Sequence, residues 1–563
     1  MIRLTGGQAA IKSLETENVE YVFGLIGSAT MEMFDALYDS KKIKFIGVHD
    51  ERSGVHMADG YARSSGKPGI FLAGQNGPGA TNLTTGLAQS MAAYSPVISI
   101  AGSLSSEHIY RDAFQEVDQQ ALFKPITKKT WTITQTKRIP EIFREAFRVS
   151  MSPRKGPVQI NIPRDILAES ANFDTFQKPE TYRLKSLPVA SPDSIKRVSE
   201  MIANAKNPII IIGGGIKNSE GHLEVLALAE KLNIPIIISP GHGDAISFSH
   251  PLNAGQMGPR GNIVASRLAK EADLILALGT RLGFNSTFYS YDNININASI
   301  IQVELEPTAI GRYFPIALGI LGDAKQIATQ INETDINQKF LKEVNHWTKE
   351  FQREREEYLN NRELNADMKL QPIQPSGLFK ELRSVIPKDA IITMDAGTLC
   401  LQATDSLNYF QPKSLFTPLD FGLVGFSYSC GLGIKVANPS RPVISLMGDG
   451  GFGMTLSEIS TAVSYGINTI TLVLNNKCWG AEKAYQRDFF GERYLGADIS
   501  SPPFDKIAEL YGAKGYRVEK VNEIKSVVQE AINLKKPAVI DIMVDPDALY
   551  SFRRDSFAHK IKS

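Results

Sequence analysis

The residues Gly448-Asp449-Gly450 follow a short apolar run, and a second apolar run about one helix later ends in Asn475 and Asn476. This spacing predicts two strands with a helix between them, over residues 456–465. At the end of the first strand, a carboxylate and the bare N–H groups of a glycine turn can lie beside a diphosphate, and the second strand returns an asparagine to the same point. Mg²⁺ prefers near-octahedral oxygen ligands, which Asp449, the Asn476 amide, a main-chain carbonyl near Cys478, a water and two diphosphate oxygens can supply. The pattern predicts a site for magnesium and a diphosphate, although a Gly-Asp-Gly alone is equally typical of an ordinary turn.

Composition limits the function classes. The chain has 563 residues, of which 43% are hydrophobic and 21% charged, as in ordinary globular proteins. A net charge of +1 favours neither a nucleic-acid nor an anionic-membrane partner. The sequence contains no run of about 18 apolar residues and no apolar signal region at its start. Cys400, Cys430 and Cys478 lack metal-ligand spacing, and together these features predict a cytoplasmic protein.

Three successive segments alternate short β-branched runs with amphipathic helical stretches, which is typical of doubly wound α/β domains. The fold class predicted is therefore α/β, with three doubly wound parallel-sheet domains. We place them at residues 1–170, 190–335 and 370–550. The charged stretch 339–365 predicts a solvated helix between the second and third domains.

A second motif supports a specific cofactor. The stretch His49-Asp50-Glu51, followed by His56-Met57-Ala58-Asp59-Gly60-Tyr61-Ala62-Arg63, resembles the glutamate-bearing strand end and helix of thiamine-diphosphate enzymes. With the Gly-Asp-Gly and Asn-Asn pair, the chain resembles the acetolactate synthase and pyruvate decarboxylase superfamily. The resemblance implies a pyrimidine-binding first domain, a central Rossmann-like domain and a diphosphate-binding third domain. It also implies that Glu51 contacts the cofactor's pyrimidine N1′ and promotes its imino form.

Further elements of this superfamily occur in the matching order. The resemblance implies that a loop facing the thiazolium, a diphosphate-binding turn, an apolar wedge under the cofactor and the magnesium motif all contact thiamine diphosphate. The implied cofactor-binding residues besides Glu51 are Ile26, Gly27, Ser28, Gly397, Thr398, Val424, Asp449, Gly450, Gly451, Asn476 and Trp479. Because Glu51 and Asp449 lie in different domains, the resemblance also implies a homo-oligomer whose active sites lie at a dimer interface, either as a dimer or as a dimer of dimers.

The middle segment raises the question of a second cofactor. Gly213-Gly214-Gly215 follows a strand, but residue 218 is Asn where a dinucleotide fingerprint has its third glycine, so an ordinary βα turn is the better interpretation. The flavin-containing acetolactate synthases carry an arginine- and aspartate-rich stretch at the place where this chain has residues 279–285. We therefore predict no FAD.

Five stretches contain the residues that a substrate would contact, at residues 23–29, 74–79, 114–118, 475–483 and 551–555. These stretches resemble those of sulfoacetaldehyde acetyltransferases. The resemblance implies conversion of sulfoacetaldehyde and inorganic phosphate to acetyl phosphate and sulfite. It implies proton transfer by Glu482 and hydrogen bonding of substrate or acyl oxygen by Gln115, so that Glu51, Gln115 and Glu482 are the catalytic residues. The implied substrate-binding residues are Ser28, Phe114, Gln115, Lys483, Arg553 and Arg554. The last three supply cationic donors for sulfonate and phosphate.

Two alternatives stay open. Asp50 separates His49 from Glu51, and Cys478 precedes Trp479 where these relatives tend to have Gln. These departures leave room for an acetolactate-synthase-like carboligase or a 2-oxoacid decarboxylase. A non-catalytic interaction protein of the same fold is disfavoured, because Glu51, Asp449 and Asn476 are all present.

Overall fold

The computed structural model describes residues 1–259, 261–335, 338–552 and 554–561. Its helices and strands form three domains in chain order, each built on one six-stranded parallel sheet. The predicted fold class is thereby confirmed. Among the described helices, none is both long and apolar enough to span a membrane.

The first domain contains an antiparallel pair, β1 with β8, beside its main sheet. Its strands are β1 (Ile2–Thr5), β2 (Tyr21–Leu25), β3 (Lys44–Gly47), β4 (Gly69–Ala73), β5 (Val97–Ser103), β6 (Thr130–Thr132), β7 (Val158–Pro163) and β8 (Ser170–Phe173). Its helices are α1 (Gly6–Thr16), α2 (Met31–Asp39), α3 (Glu51–Ser65), α4 (Pro78–Thr81), α5 (Thr84–Ala92), α6 (Gln119–Phe123), α7 (Ile139–Met151) and α8 (Arg164–Ala168).

The middle domain is built on strands that are buried along most of their length, as expected for a sheet covered on both faces. Its strands are β9 (Pro208–Ile212), β10 (Ile236–Ile238), β11 (Asn253–Gln256), β12 (Leu274–Leu278), β13 (Ser299–Glu304) and β14 (Leu318–Leu321). Its helices are α9 (Pro192–Ala203), α10 (Gly214–Ser219), α11 (His222–Leu232), α12 (Ile263–Glu271), α13 (Phe284–Thr287), α14 (Ala324–Asn332) and α15 (Gln338–Leu364).

The third domain carries the Gly-Asp-Gly turn. Its strands are β15 (Ile391–Met394), β16 (Leu415–Phe416), β17 (Val443–Gly448), β18 (Ile470–Asn475), β19 (Lys514–Val518) and β20 (Ala538–Met543). Its helices are α16 (Pro375–Val385), α17 (Thr398–Ser406), α18 (Ser427–Ala437), α19 (Asp449–Gly453), α20 (Glu458–Ser464), α21 (Gly480–Phe489), α22 (Phe504–Leu510), α23 (Ile524–Asn533) and α24 (Ala558–Ile561).

Strand order distinguishes the middle domain from the other two. The first and third sheets have equivalent orders, β3-β2-β4-β5-β7-β6 and β16-β15-β17-β18-β20-β19. The middle sheet has the order β11-β10-β9-β12-β13-β14, which is the dinucleotide-fold order 3-2-1-4-5-6. The central domain is therefore Rossmann-like, and the outer two are copies of one topology.

Helix α15 differs from its prediction. The sequence predicted a solvated helix, and the helix is present, but full solvation is wrong. Phe340, Val344, Trp347 and Phe351 are buried in the core of the middle domain. Their spacing of three and four residues places them on one helix face, which the surrounding charges obscure in the sequence.

The first and third domains of the chain contact each other through α3 and α18. A Cβ on Gly60 would lie 2.2 Å from the carbonyl oxygen of Cys430, and one on Gly433 would lie 1.9 Å from that of Met57. The two backbones can approach this closely only because glycine has no side chain. This packing holds the middle of α3 against the third domain.

Candidate active site

Asp449 and Asn476 leave the third-domain sheet at the same edge. Strands β17 and β18 pair in parallel with Gly448 opposite Leu474, so each side chain follows closely on the end of its strand. Helix α19 begins at Asp449. In open α/β sheets, ligands bind at this carboxyl edge, where the loops of adjacent strands meet.

Asp449 has the surroundings expected of a metal ligand. Its side chain is buried, Ser501 donates its hydroxyl to Oδ2, and Oδ1 has no hydrogen-bond partner among the residues that the structure describes. Burial raises the pKa of Asp449, while the Ser501 hydroxyl and nearby backbone N–H groups act in the opposite direction. A buried oxygen without a donor is costly unless it is protonated or meets a cation. The Asp449 carboxylate therefore fits a bound Mg²⁺.

The turn after β18 is fixed by Asn475, which belongs to the predicted Asn-Asn pair, and by Asp541, which the motif did not predict. Asn475 donates its amide to Asp541 Oδ1 (2.9 Å) and accepts from the backbone N–H of Lys477 (3.3 Å). Lys477 has φ of +55°, an uncommon conformation for a residue other than glycine. Burial raises the pKa of Cys478 to about 11, so its thiol stays protonated. Because Mg²⁺ prefers oxygen ligands, the main-chain carbonyl of Cys478 fits the metal better than its sulfur does.

The predicted diphosphate residues lie close together around this turn. A Cβ on Gly480 would lie 3.0 Å from Thr398 Oγ1 and 3.2 Å from Asn476 Nδ2, and one on Gly450 would lie 2.6 Å from the Trp479 ring. At Gly397, φ is +129°, and apart from Gly397 and its chain neighbours no atom of the described residues lies within 4 Å of the Cβ position. Open space beside bare backbone and a hydroxyl is a fitting cradle for a diphosphate.

Asp395 fixes the loop that contains Val424, the predicted apolar wedge under the cofactor. The buried carboxylate accepts from the backbone N–H groups of Gly425 (2.8 Å) and Phe426 (2.7 Å), and burial raises its pKa to about 6. The Cβ position of Gly451 lies 2.2 Å from Asp395 Oδ2 and 3.2 Å from Val424 Cγ1. Val424 is thereby held next to the Gly-Asp-Gly turn.

Glu51 is the first residue of α3 and is buried. Asn82 donates its amide to Glu51 Oε2 (3.0 Å), and the Cβ position of Gly79 lies 3.4 Å from Oε1. Both neighbours belong to the glycine loop at residues 75–82 of the first domain. The helix start and this loop together orient the carboxylate.

The other predicted first-domain residues border the same glycine loop. Ser28 exchanges hydrogen bonds with the side chain of Gln75 at 3.3 and 3.4 Å, and the Gln115 carbonyl accepts from Asn76 (3.0 Å). Ile26 is 61% exposed and Phe114 is 86% exposed. The Gly27 backbone runs against Gly74. These residues form a rim with exposed apolar side chains.

The third domain contains one predicted catalytic residue, Glu482, and three predicted substrate-binding residues, Lys483, Arg553 and Arg554. Glu482 lies in the first turn of α21 and lines a cavity of about 1070 Å³ that also reaches Gly397. Lys483 donates to Asp498 Oδ1 (2.7 Å), so an anion would compete with that carboxylate. Arg553 lies outside the described residues, and Arg554 begins a short 3₁₀ helix.

Sequence reasoning missed several residues of this site. Ser501 and Asp541 make the buried contacts described above, and Glu458 contacts the backbone just before Glu51. Asp395 belongs to the predicted diphosphate-binding turn, but its hydrogen bonds to the Val424 loop were not predicted. A serine or an acid outside a glycine motif gives no local signal. Asp541 alone could have been found, because it lies within an apolar strand, where a buried acid needs a hydrogen-bond partner.

Comparison with known proteins identifies the family to which these three domains belong. Three thiamine pyrophosphate enzyme profiles match the chain: the N-terminal TPP binding domain at residues 4–122, the central domain at 195–331 and the C-terminal TPP binding domain at 395–542. The chain belongs to the thiamine-diphosphate enzymes. The family predicted from the sequence is thereby confirmed, and the two outer domains correspond to the two TPP binding domains.

Curated relatives of this thiamine-diphosphate enzyme include proteins with two different activities. A probable acetolactate synthase large subunit of Methanococcus aeolicus is 36% identical, over 97% of this chain and 93% of the relative. A sulfoacetaldehyde acetyltransferase of Castellaniella defragrans is 32% identical, over 99% and 96%. The acetolactate synthase large subunit of Haemophilus influenzae is 31% identical, over 97% and 95%. Identity over the full length therefore supports the family and does not choose between the two activities.

Proposed function

We propose that this thiamine-diphosphate enzyme is an acetyltransferase that converts sulfoacetaldehyde and inorganic phosphate to acetyl phosphate and sulfite. The observation that carries the proposal is the position of Glu482, one turn after Trp479 and in the same cavity as Gly397. An aldehyde carbon carries a hydrogen that must leave as a proton before the carbon becomes an acyl group. A 2-oxoacid loses CO₂ instead and needs no base for that step, so a carboxylate at this place favours an aldehyde substrate.

The chain's own residues have the following proposed roles. Thiamine diphosphate, when bound, would supply a nucleophilic carbon. Glu51 would accept a hydrogen bond from the pyrimidine N1′–H and so favour the imino form, and Asp449 Oδ1, the Asn476 amide oxygen and the Cys478 carbonyl would hold Mg²⁺. Glu482 takes the aldehyde proton, and Gln115 donates to the acyl oxygen. The C–S bond breaks with its electron pair on sulfite, the carbon that carried the sulfonate takes up a proton to become the methyl group, and the acetyl group is transferred to a phosphate oxygen.

The anionic substrates need fixed donors, for which Lys483, Arg553 and Arg554 stay our proposals. Lys483 is already paired with Asp498, whose side chain is 67% exposed. Solvent weakens such a pair, so an incoming anion can replace the carboxylate at modest cost. Ser28 and Phe114 would close the site from the first domain.

A dimer interface is the proposed location of the complete site. The Glu51 carboxylate is hydrogen-bonded by Asn82 of the first domain, whereas the Asp449 carboxylate is hydrogen-bonded by Ser501 of the third domain. The exposed apolar side chains of Ile26 and Phe114 border the glycine loop at residues 75–82, which contacts Glu51. Apolar surface of this kind is expected to be covered by another subunit.

We further propose that the enzyme acts in the cytoplasm, since its three cysteines are free and buried.

We also propose that no flavin is needed. The overall conversion is redox-neutral, because loss of sulfite generates the oxidation level of the acetyl group. In the middle-domain part of the cavity, Arg281 pairs with Asp420 (3.0 Å) and Lys217 pairs with Asp244 (2.7 Å). A flavin diphosphate would have to compete with these carboxylates for their cations.

An acetolactate-synthase-like reaction is the second candidate, favoured by the 36% identity to the Methanococcus aeolicus protein. Purified enzyme supplied with thiamine diphosphate and Mg²⁺ should release sulfite and form acetyl phosphate from sulfoacetaldehyde and phosphate. Pyruvate, tested alone and with 2-oxobutyrate, is the matched comparison. Turnover of pyruvate to an acetohydroxy acid without sulfite release from sulfoacetaldehyde would refute the proposed function.

A further inference from the structure

The six residues 47–52, which we call the strap, connect β3 to the first turn of α3 and so present Glu51. The strap lies against the third domain of the same chain. The backbone N–H of Gly47 donates to the Tyr465 hydroxyl (2.8 Å), and Arg52 Nη2 donates to the Met454 carbonyl (3.2 Å). The strap is therefore anchored near both ends by residues on either side of α20.

Glu458 makes the central contacts with the strap. Its Oε1 accepts from the backbone N–H groups of His49 (3.0 Å) and Asp50 (3.1 Å), the two residues immediately before Glu51. Its Oε2 accepts from the Thr461 hydroxyl (2.7 Å). Glu458 has no exposed surface, so it cannot exchange these donors for water without opening the interface.

The backbone that Glu458 holds determines where Glu51 points. Asp50 is the N-cap of α3, and its Oδ1 accepts from the backbone N–H of Ser53 (3.0 Å). The start of α3 is thus fixed by the Asp50 side chain within the first domain and by the Glu458 side chain from the third domain. A shift of the Asp50 backbone moves Glu51 relative to Asn82, its partner on the glycine loop.

We propose that Glu458 is a positioning residue for Glu51, acting from the third domain through the backbone N–H groups of His49 and Asp50. The inference rests on the proposed role of Glu51 in proton exchange at the cofactor. Glu458 contributes an oxygen acceptor, and glutamine can supply the same acceptor without the charge. Methionine has a similar length but lacks the oxygen. A misplacement of about 1 Å can reduce a reaction rate about hundredfold.

The test compares Glu458→Met with Glu458→Gln in the holoenzyme loaded with thiamine diphosphate and Mg²⁺. Hydrogen–deuterium exchange at the thiazolium C2 is followed by NMR after acid quench, beside cofactor affinity and melting temperature. We expect Glu458→Met to exchange at least about tenfold more slowly than wild type, at cofactor affinity within about threefold. Glu458→Gln should stay within about threefold of the wild-type rate, because it retains the acceptor.

Two further variants serve as controls. Tyr465→Phe removes the anchor at Gly47, the end of the strap farther from Glu51, and measures the slowing caused by a looser strap in general; slowing as large as that in Glu458→Met would overturn the inference. Glu458→Ala replaces Glu458→Met if the latter does not fold. Wild-type exchange in Glu458→Met, or equal slowing in Met and Gln, would overturn the inference. Wild-type exchange in Glu51→Gln would instead refute the proposed role of Glu51 itself, so the two failures are distinguishable.

Discussion

The hydroxyl of Ser501 offers a sharp test of the metal site. In Ser501→Ala, Asp449 loses the donor on Oδ2 while Oδ1 keeps its place towards the proposed Mg²⁺. A hydrogen bond to a charged group contributes about 1.5–3 kcal/mol. Loss of an outer partner of a metal ligand typically lowers metal affinity about 10- to 100-fold. The two figures agree, so we expect Mg²⁺ to bind about 10- to 100-fold more weakly at saturating thiamine diphosphate.

The pH dependence gives the same test a second measurement. Burial raises the pKa of Asp449, and the Ser501 hydroxyl opposes that rise. Since Mg²⁺ binds the deprotonated carboxylate, affinity should fall as the pH falls through the raised pKa. In Ser501→Ala the pKa rises further, so this fall should begin at a higher pH.

Calorimetric titration of Mg²⁺ into the apoenzyme with saturating thiamine diphosphate, at several pH values, measures both effects. Asp449→Ala should show no saturable Mg²⁺ binding, because the hard cation loses its charged ligand. Ser500→Ala is the matched control, since Ser500 is an exposed serine next to Ser501. If Ser501→Ala and Ser500→Ala bind Mg²⁺ equally well and with the same pH dependence, the assignment of Asp449 Oδ1 to the metal is refuted.

Three other outcomes are expected. Glu51→Gln should bind thiamine diphosphate normally but exchange the C2 proton far more slowly, as NMR would show; an unchanged rate would mean that another acid acts on the pyrimidine. Freshly purified protein should be colourless, because Arg281 is paired with Asp420 and the conversion is redox-neutral; a stoichiometric flavin band that survives gel filtration would contradict this. Arg553→Ala or Arg554→Ala should raise KM for sulfoacetaldehyde or phosphate about ten- to hundredfold, which corresponds to a charge-assisted contact of about 1.5–3 kcal/mol. If both KM values stay constant while Tm falls, the two arginines are structural.

The sequence by itself determined the fold class and the family. The alternation of apolar runs with helical stretches predicted three parallel-sheet domains, because strand and helix periods are local properties of the chain. The glycine turn at Asp449 could be found in the same way, whereas the helix beginning at Glu51 was identified by its resemblance to the thiamine-diphosphate enzymes. Glycine and asparagine at strand ends are required by local backbone geometry, so their identity alone carries information.

The tertiary structure decided how these residues are held. Ser501 is 52 residues from Asp449, and Glu458 is 409 residues from His49 along the chain. No periodic pattern links residues so far apart, and serine and glutamate are common on any surface. Their roles follow only from burial and from the donors that meet them.

The tertiary structure also decided which charged residues are already engaged. The sequence predicted Lys483 as an anion donor, and the fold places its ammonium group 2.7 Å from Asp498. Charges in α15 indicated full solvation, yet the fold buries the face that contains Trp347. In both cases the sequence identified the charged residues but not the residues that pack beside them. Ion pairs and helix packing depend on three-dimensional proximity, which composition does not encode.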